Sequence, residues 1–227
     1  VGIFSTIYLT PVFLGRVSGY SALQIGLAVF STGVFQVMAI PIYSFFATRV
    51  DLRWLMMVGM ALFALSMWEF SPITHDWSAH ELLLPQAMRG AGQQFAVAPT
   101  VTLTLGSLAP QRLRLASGLF NLMRNLGGAI GIAVCATILN DRTNMHFYHL
   151  AEHLNYSNEA LNQALQSLSA LGDGAYSQLW QMTYREALTM SFGDVYLAVM
   201  SCFLVTLCMA PLMRKVAPPK APSADSH

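Results

Sequence analysis

A row of polar side chains runs along one apolar stretch at helical spacing. Its members are separated by three, four, seven and four residues: Gln86, Arg89, Gln93, Thr100 and Thr104. Such intervals place side chains on one face of an α-helix. A charged group held in lipid costs at least about 2.5–3.5 kcal/mol, so this face is expected to line a water-filled cavity. The alternative is that Arg89 extends to the membrane surface while its neighbours bond adjacent helices.

A second arginine, Arg124, lies in a glycine-rich apolar run. Asn121 precedes it by one turn, and the run continues with Gly127, Gly128 and Gly131. The GxxxG spacing of Gly127 and Gly131 allows two helices to approach closely. We expect the glycines to pack helices and Asn121 to line the cavity. Two roles stay open for Arg124, a gating ion pair and a structural anchor.

Histidines in polar segments suggest a rival chemistry, since some have a spacing that can hold zinc. Two groups contain them: His146, His149, Glu152 and His153, and further upstream His75, Asp76, His80 and Glu81. Neither has the HExxH order of a zinc protease. No phosphate-binding loop or nucleophile elbow occurs. We therefore predict no metal site, no cofactor, no catalytic residue and no enzymatic activity.

The composition shows which solvent these residues must meet. Of the 227 residues, 55% are hydrophobic and only 10% are charged, whereas a soluble domain carries about 25%. A chain so poor in charge is expected in lipid. The net charge of +1 offers no case for nucleic-acid binding. The three cysteines lie in apolar runs without CxxC spacing and are expected to be packing residues.

Six apolar segments are expected to cross the bilayer, at about 20 residues per crossing. They lie near 1–13, 22–46, 54–70, 82–105, 118–139 and 192–213. The first is too short to cross alone, so we expect a truncated first helix and a missing N-terminal half. The fourth is expected to be weakened by Pro85, Gly90, Gly92 and Pro99. The Pro-rich residues 214–227 are expected to be a disordered cytoplasmic tail.

Orientation follows from the Lys and Arg residues of the loops. The loops and the tail on one side of the predicted spans hold seven of these residues: Arg49, Arg53, Arg112, Arg114, Arg214, Lys215 and Lys220. The loops on the opposite side hold three: Arg16, Arg142 and Arg185. The side with more Lys and Arg is predicted to be cytoplasmic, which gives a cytoplasmic C-terminus and a multi-pass chain in a bacterial inner membrane. Residues 140–191 are then periplasmic.

The predicted periplasmic segment 140–191 has its own helical pattern. Leucines recur at helical spacing among polar residues: Leu150, Leu154, Leu161, Leu165 and Leu168. This pattern predicts an amphipathic helix, a break at 172–174, and a second helix through Trp180 and Tyr184. The segment is either a solvated cap or a docking site for a periplasmic partner.

Several of these segments together resemble a known family. They are residues 8–11, 19–22, Pro41 with 49–53, 116–131 and 142–146. The chain resembles the C-terminal part of EmrB-type drug:proton antiporters, the fourteen-helix branch of the major facilitator superfamily. The resemblance implies an all-α fold, the second of two six-helix halves that rock about a central cavity. It also implies proton-driven export of apolar, cationic or uncoupler-like compounds, and contact with a periplasmic adaptor and an outer-membrane channel.

Two departures from the family pattern concern gating and coupling. The loop with Arg49, Asp51 and Arg53 resembles a degenerate cytoplasmic gating motif, in which Ser44 replaces the initial glycine. On physical grounds alone, Asp51 can cap the next helix while the arginines anchor the cytoplasmic side. No Asp or Glu lies deep in a predicted span, so the coupling carboxylates are expected in the missing half.

The sequence is thus compatible with three functions. A proton-coupled drug exporter leads because of the resemblance. An exporter of the same fold for one metabolite or siderophore is the second. A membrane metalloenzyme that uses the external histidines is the third and least favoured.

Overall fold

The computed structural model describes residues 2–77, 80–106, 108, 110–152 and 174–212. Six α-helices occupy this part of the chain: α1 Gly2–Arg16, α2 Ala22–Ala47, α3 Leu52–Phe70, α4 Leu83–Leu105, α5 Pro110–Glu152 and α6 Gly174–Met209, followed by a 3₁₀ turn at Ala210–Leu212. No residue of these ranges lies in a strand. The predicted all-α class is therefore confirmed. The predicted tail 214–227 lies outside the described residues.

Four of the helices, α2, α3, α5 and α6, are long and apolar enough to cross a membrane. The other two fall short for different reasons. Helix α1 has 15 residues, fewer than the roughly 20 that a crossing needs, and α4 carries the polar row. Large apolar side chains of α2 remain exposed, among them Leu23 and Phe30. Lipid or another membrane-embedded segment can cover such a surface.

A left-handed turn connects α1 to α2. Gly19 has φ +67°, a conformation that glycine adopts without steric cost. Ser21 then caps α2 through a capping box with Gln24, in which each side chain accepts a hydrogen bond from the other's backbone N–H. This turn folds α2 back beside α1.

Stacked aromatic rings hold α6 against α1 and α3. The rings of Phe63 and Phe203 are parallel at 4.6 Å between centroids, and those of Phe70 and Tyr196 stack at 5.0 Å. Phe13 of α1 meets Phe192 edge-on at 5.3 Å. Aromatic pairs of this kind contribute about 0.5–1.5 kcal/mol each beyond the area they bury.

Glycines place α4 in close contact with α2 and α3. A Cβ atom on Gly90 would lie 2.4 Å from the Thr32 carbonyl oxygen of α2, and one on Gly59 of α3 would lie 2.4 Å from the Ala96 nitrogen. Helix α4 is continuous from Leu83 to Leu105 although it contains Pro99. Its glycines, expected to weaken it, instead let neighbouring backbones approach, as small residues do in membrane helices.

Helices α5 and α6 extend well beyond the predicted spans. They contain 43 and 36 residues, which corresponds to about 65 and 54 Å at 1.5 Å per residue. The apolar core of a bilayer is only about 30 Å thick. Residues 140–152 and 174–191, predicted to be an external segment, continue the two helices directly. The leucines from 154 to 168 and most of the predicted break lie outside the described residues.

We predict that Gly90→Ala destabilises the fold by about 1–3 kcal/mol, because the new methyl group meets a main-chain oxygen of α2. The control is Gly26→Ala, where an added Cβ has nothing within 4 Å. Thermal aggregation midpoints of the detergent-solubilised full-length protein measure both. Equal midpoints for the two variants would contradict the close packing of α2 and α4.

Candidate functional site

The Arg89 side chain lies buried between α1, α2 and α4, with 2% of its surface exposed. Its Nη1 donates to the Thr6 carbonyl oxygen at 3.0 Å and to Thr10 Oγ1 at 2.8 Å. Its Nη2 donates to Thr32 Oγ1 at 2.8 Å. No carboxylate pairs with it among the described residues, and its Nε has no partner there. A buried cation is thus held by neutral oxygens of two neighbouring helices.

Gln86 extends the same network by one turn of α4. Its Oε1 accepts hydrogen bonds from Thr32 Oγ1 at 2.7 Å and from Ser31 Oγ at 3.2 Å. Thr32 therefore accepts from Arg89 and donates to Gln86. Such relayed bonds strengthen one another in a low-dielectric interior.

The polar row does not face a single cavity in the structure. Gln86 and Arg89 are covered by α1 and α2, as described above. Thr100 donates to the Ala96 carbonyl oxygen at 2.6 Å, and Thr104 to that of Thr100 at 2.7 Å. Both threonines thus bond within their own helix. Gln93 alone of the five lines the hollow described next.

A hollow of about 530 Å³ opens between α1, α3, α4, α5 and α6, and we call it the central hollow. Its polar lining consists of Gln93, Arg124, Cys202 and Thr206. The remaining lining is Gly2, Ile3, Phe4, Ile7, Met60, Val97, Met123, Gly127 and Phe203. Arg124 is the only charged group among these described lining residues. An apolar wall with a few polar groups is typical of a ligand site.

The glycine-rich run of α5 divides between packing and the central hollow. Gly128 and Gly131 are buried, and Gly128 lies against the ring of Phe4. Gly127 is half-buried and lines the hollow. The two buried glycines are thus Gly128 and Gly131, whereas the GxxxG spacing points to Gly127 and Gly131. Asn121 is exposed and is not among the hollow's lining residues.

The predicted gating residues of the loop between α2 and α3 form no ion pair with one another among the described residues. The Arg49 guanidinium lies over the Phe45 ring, 3.8 Å from its centroid, a cation–π contact. Asp51 occupies the N-cap position of α3, but its side chain makes no capping hydrogen bond. Arg53 has two buried nitrogens, Nε and Nη2, without a hydrogen-bond partner in the described part of the chain.

Two histidine–carboxylate pairs lie toward the end of the bundle at which α5 and α6 extend. His146 Nε2 is 2.9 Å from Asp194 Oδ2, and His75 Nδ1 is 3.2 Å from Glu186 Oε2. No three His, Cys, Asp or Glu side chains converge as metal ligands among the described residues. His153, one of the predicted candidates, lies outside them. The two pairs join α6 to α5 and to the loop after α3.

Sequence reasoning missed several members of these sites. Thr6, Thr10 and Thr32 all bind Arg89, and a signal for two of them existed, because Thr6 and Thr10 are four residues apart in an apolar helix. Asp194 is not among the predicted site residues, although its pairing with His146 gives it a definite partner. Cys202 and Thr206 carried no signal, since isolated small polar residues are common in membrane helices.

We predict that Thr32→Val destabilises the protein by about 1–3 kcal/mol, because it removes an acceptor from a buried guanidinium and a donor from Gln86. The control is Thr137→Val, whose exposed hydroxyl bonds only to the Ala133 carbonyl of its own helix. Thermal aggregation midpoints of the full-length protein would separate the two. A harmless Thr32→Val would mean that Arg89 does not depend on α2.

Comparison with known proteins identifies a transporter family that matches the chain. The family model described as Major Facilitator Superfamily matches residues 1–150. The chain is 29% identical over 214 residues to the colistin resistance protein EmrB of Acinetobacter baumannii, which covers 91% of this chain and 42% of that protein. It is 30% identical over 208 residues to the multidrug export protein EmrB of Escherichia coli, covering 90% of this chain and 41% of the relative.

A third relative is the fatty acid resistance protein FarB of Neisseria gonorrhoeae. It is 25% identical over 225 residues, which cover 98% of this chain and 44% of FarB. The chain thus spans about two-fifths of the length of these relatives. The family match over residues 1–150, the all-helical fold and the EmrB similarities agree. The chain belongs to the Major Facilitator Superfamily and is of the EmrB type.

Proposed function

We propose that the full-length protein exports drugs and other apolar toxic compounds across a bacterial inner membrane, driven by proton entry through alternating access. The central hollow is the observation that carries this proposal. It has the volume and the mixed apolar and polar lining of a small-molecule site. The names of the EmrB relatives, which include multidrug export and colistin resistance, support export as its use.

The charge of the central hollow bears on the choice of substrate. Arg124 offers a cation, and no acidic side chain occurs among the described lining residues. A carboxylate or other acidic group on an apolar compound would pair with Arg124. A lipophilic cation would need a carboxylate from elsewhere in the protein. We therefore place acidic apolar compounds beside the cationic ones as substrates.

A dedicated exporter of one metabolite is the second candidate function. Two relatives have narrower names, FarB for fatty acid resistance and CmcT of Amycolatopsis lactamdurans for cephamycin export. CmcT is 32% identical over 141 residues and covers 61% of this chain. The same hollow suits either function, because its one charge and apolar wall fit many amphiphiles. The breadth of the resistance spectrum separates the two.

The proposed orientation places the basic α2–α3 loop in the cytoplasm and the extended ends of α5 and α6 in the periplasm. The distribution of Lys and Arg supports it. A group of aromatic rings lies on the extended part: Trp180 stacks on Tyr184 at 5.3 Å, and Phe147 lies 5.8 Å from Trp180. Trp180 is 54% exposed. We propose this surface as the contact for a periplasmic adaptor and, through it, an outer-membrane channel.

The full-length gene is expected to confer resistance on an efflux-deficient Gram-negative strain, and Arg124→Ala to reduce it about tenfold or more. The loss should be larger for decanoate, a lipophilic anion, than for ethidium, a lipophilic cation. Minimal inhibitory concentrations at matched membrane expression measure this. Arg112→Ala, an exposed arginine on the same helix, is the control.

Resistance to neither of these compounds nor to colistin would reject broad drug export and favour the dedicated exporter. Equal resistance from Arg124→Ala and from the wild type would keep export but remove the role of Arg124. Loss with Arg112→Ala as well would indicate a general effect of charge on α5.

The adaptor contact predicts a dependence on outer-membrane channels. Resistance to decanoate should fall severalfold when the host lacks its outer-membrane efflux channels, and Trp180→Ala should cause a similar fall, because an exposed aromatic anchor is lost. Trp68→Ala, an exposed tryptophan on α3, is the control. Undiminished resistance in the channel-free host would show that this transporter works without an adaptor.

A further inference from the structure

A charged cluster lies at the place where α5 and α6 leave their apolar spans. We define it as Arg142 and His146 of α5 with Asp194 of α6. Both basic side chains converge on one oxygen: His146 Nε2 is 2.9 Å and Arg142 Nε is 3.8 Å from Asp194 Oδ2. The His146 side chain is 17% exposed and that of Asp194 is 34% exposed. The histidine is therefore held inside the helix pair while its partner still meets solvent.

A second hollow, of about 530 Å³, opens beside this cluster. Asp141, Arg142 and Asp194 form its charged part, and Ile138, Leu197 and Ala198 form its apolar part. Ile138 and Leu197 belong to the apolar spans of α5 and α6. The hollow thus leads from the charged cluster toward the membrane interior. Water entering it would reach Asp194, the ion-pair partner of His146.

The charges around this hollow favour the uptake of one proton. With a neutral His146, the two aspartates outweigh the single arginine by one negative charge. A proton on the imidazole of His146 makes the total zero. Among the helices packed on α5 and α6, the titratable or charged side chains are Tyr8 and Arg16 of α1, Arg53 and Glu69 of α3, and Arg89 of α4. None of them forms an ion pair with the cluster in the described part of the chain.

We propose that His146, paired with Asp194, is a proton-binding site that loads from the outer solution during export. Hydronium gives its proton to Nδ1, because Nε2 is engaged with Asp194. An N–H bond forms while one O–H bond of hydronium breaks and leaves water, and the imidazolium then holds Asp194 Oδ2 by a charge-assisted bond where the neutral ring had held it by an ordinary hydrogen bond. Deprotonation reverses this step. This inference rests on the proposed proton-driven export. The bond between His146 of α5 and Asp194 of α6 is an ion pair when His146 is protonated and a hydrogen bond from the neutral ring when it is not.

The chain supplies a matched control in its other histidine–carboxylate pair. His75 lies 3.2 Å from both Asp76 and Glu186, but its side chain is 42% exposed and that of Glu186 is 49% exposed. Neither residue lines the hollow beside Asp194. Solvent screens an exposed pair of this kind, so its protonation is not tied to the spans of the bundle.

The test uses the full-length protein in inside-out membrane vesicles, whose lumen corresponds to the outer side. Respiration acidifies the lumen, and a fluorescent pH-gradient dye reports proton release when ethidium or decanoate is added. Release is expected from the wild type, and His146→Gln and Asp194→Asn are each expected to lower it about tenfold. His75→Gln should stay within about twofold of the wild type. Exchange of labelled ethidium, a permanent cation, across unenergised vesicles should persist in His146→Gln, because exchange needs no net proton movement.

Each other outcome has a definite meaning. Wild-type release that His146→Gln and Asp194→Asn leave unchanged overturns the proton site alone. Loss of both proton release and ethidium exchange in His146→Gln also overturns it, because that pattern indicates a structural pair. No release from the wild type with either compound overturns the proposed proton-driven function together with this inference.

Discussion

The guanidinium of Arg89 has no carboxylate partner within the described bundle, yet it is almost fully buried. Moving a charge out of water costs several kcal/mol unless other groups replace the lost hydration. Three neutral oxygens, from Thr6, Thr10 and Thr32, do so here. Helix α4 therefore cannot rotate away from α1 or α2 without leaving a cation without acceptors. The close crossing at Gly90 belongs to the same constraint, because it brings the backbone of α4 near to that of α2, which carries Thr32.

The bundle also carries two sites of different electrostatic character. In the central hollow, Arg124 is a cation whose ion-pair partner is not supplied by the described residues. In the hollow beside the Arg142–His146–Asp194 cluster, two aspartates outnumber the one arginine of the described lining. Helix α5 carries side chains of both sites, and α6 packs along it. A movement of α5 relative to the fixed helices would therefore affect both sites together, which is the geometry that coupling between two sites requires.

Apolar runs predicted the helical class and most helix positions, because a chain in lipid must satisfy its backbone hydrogen bonds internally. The polar row showed that Arg89 had to be shielded from lipid, but it could not show by what. The acceptors lie 57 to 83 residues away in sequence, and spacing within one helix carries no information about such partners. The lengths of α5 and α6 were missed for another reason. Polar residues after Leu139 resemble a loop in composition, yet they continue helix α5 beyond its apolar span.

The continuity of α5 through that boundary has a mechanical consequence. From Leu139 to Glu152 the helix runs about 20 Å at 1.5 Å per residue. An α-helix bends only gently unless proline, a π-bulge or an inserted group breaks its ladder, and this stretch contains no proline. A tilt of about 10° within the bilayer would therefore swing the outer end by about 3–4 Å, a lever arm fixed by the helical rise. A protein bound at that end would sense the state of the bundle without touching the substrate.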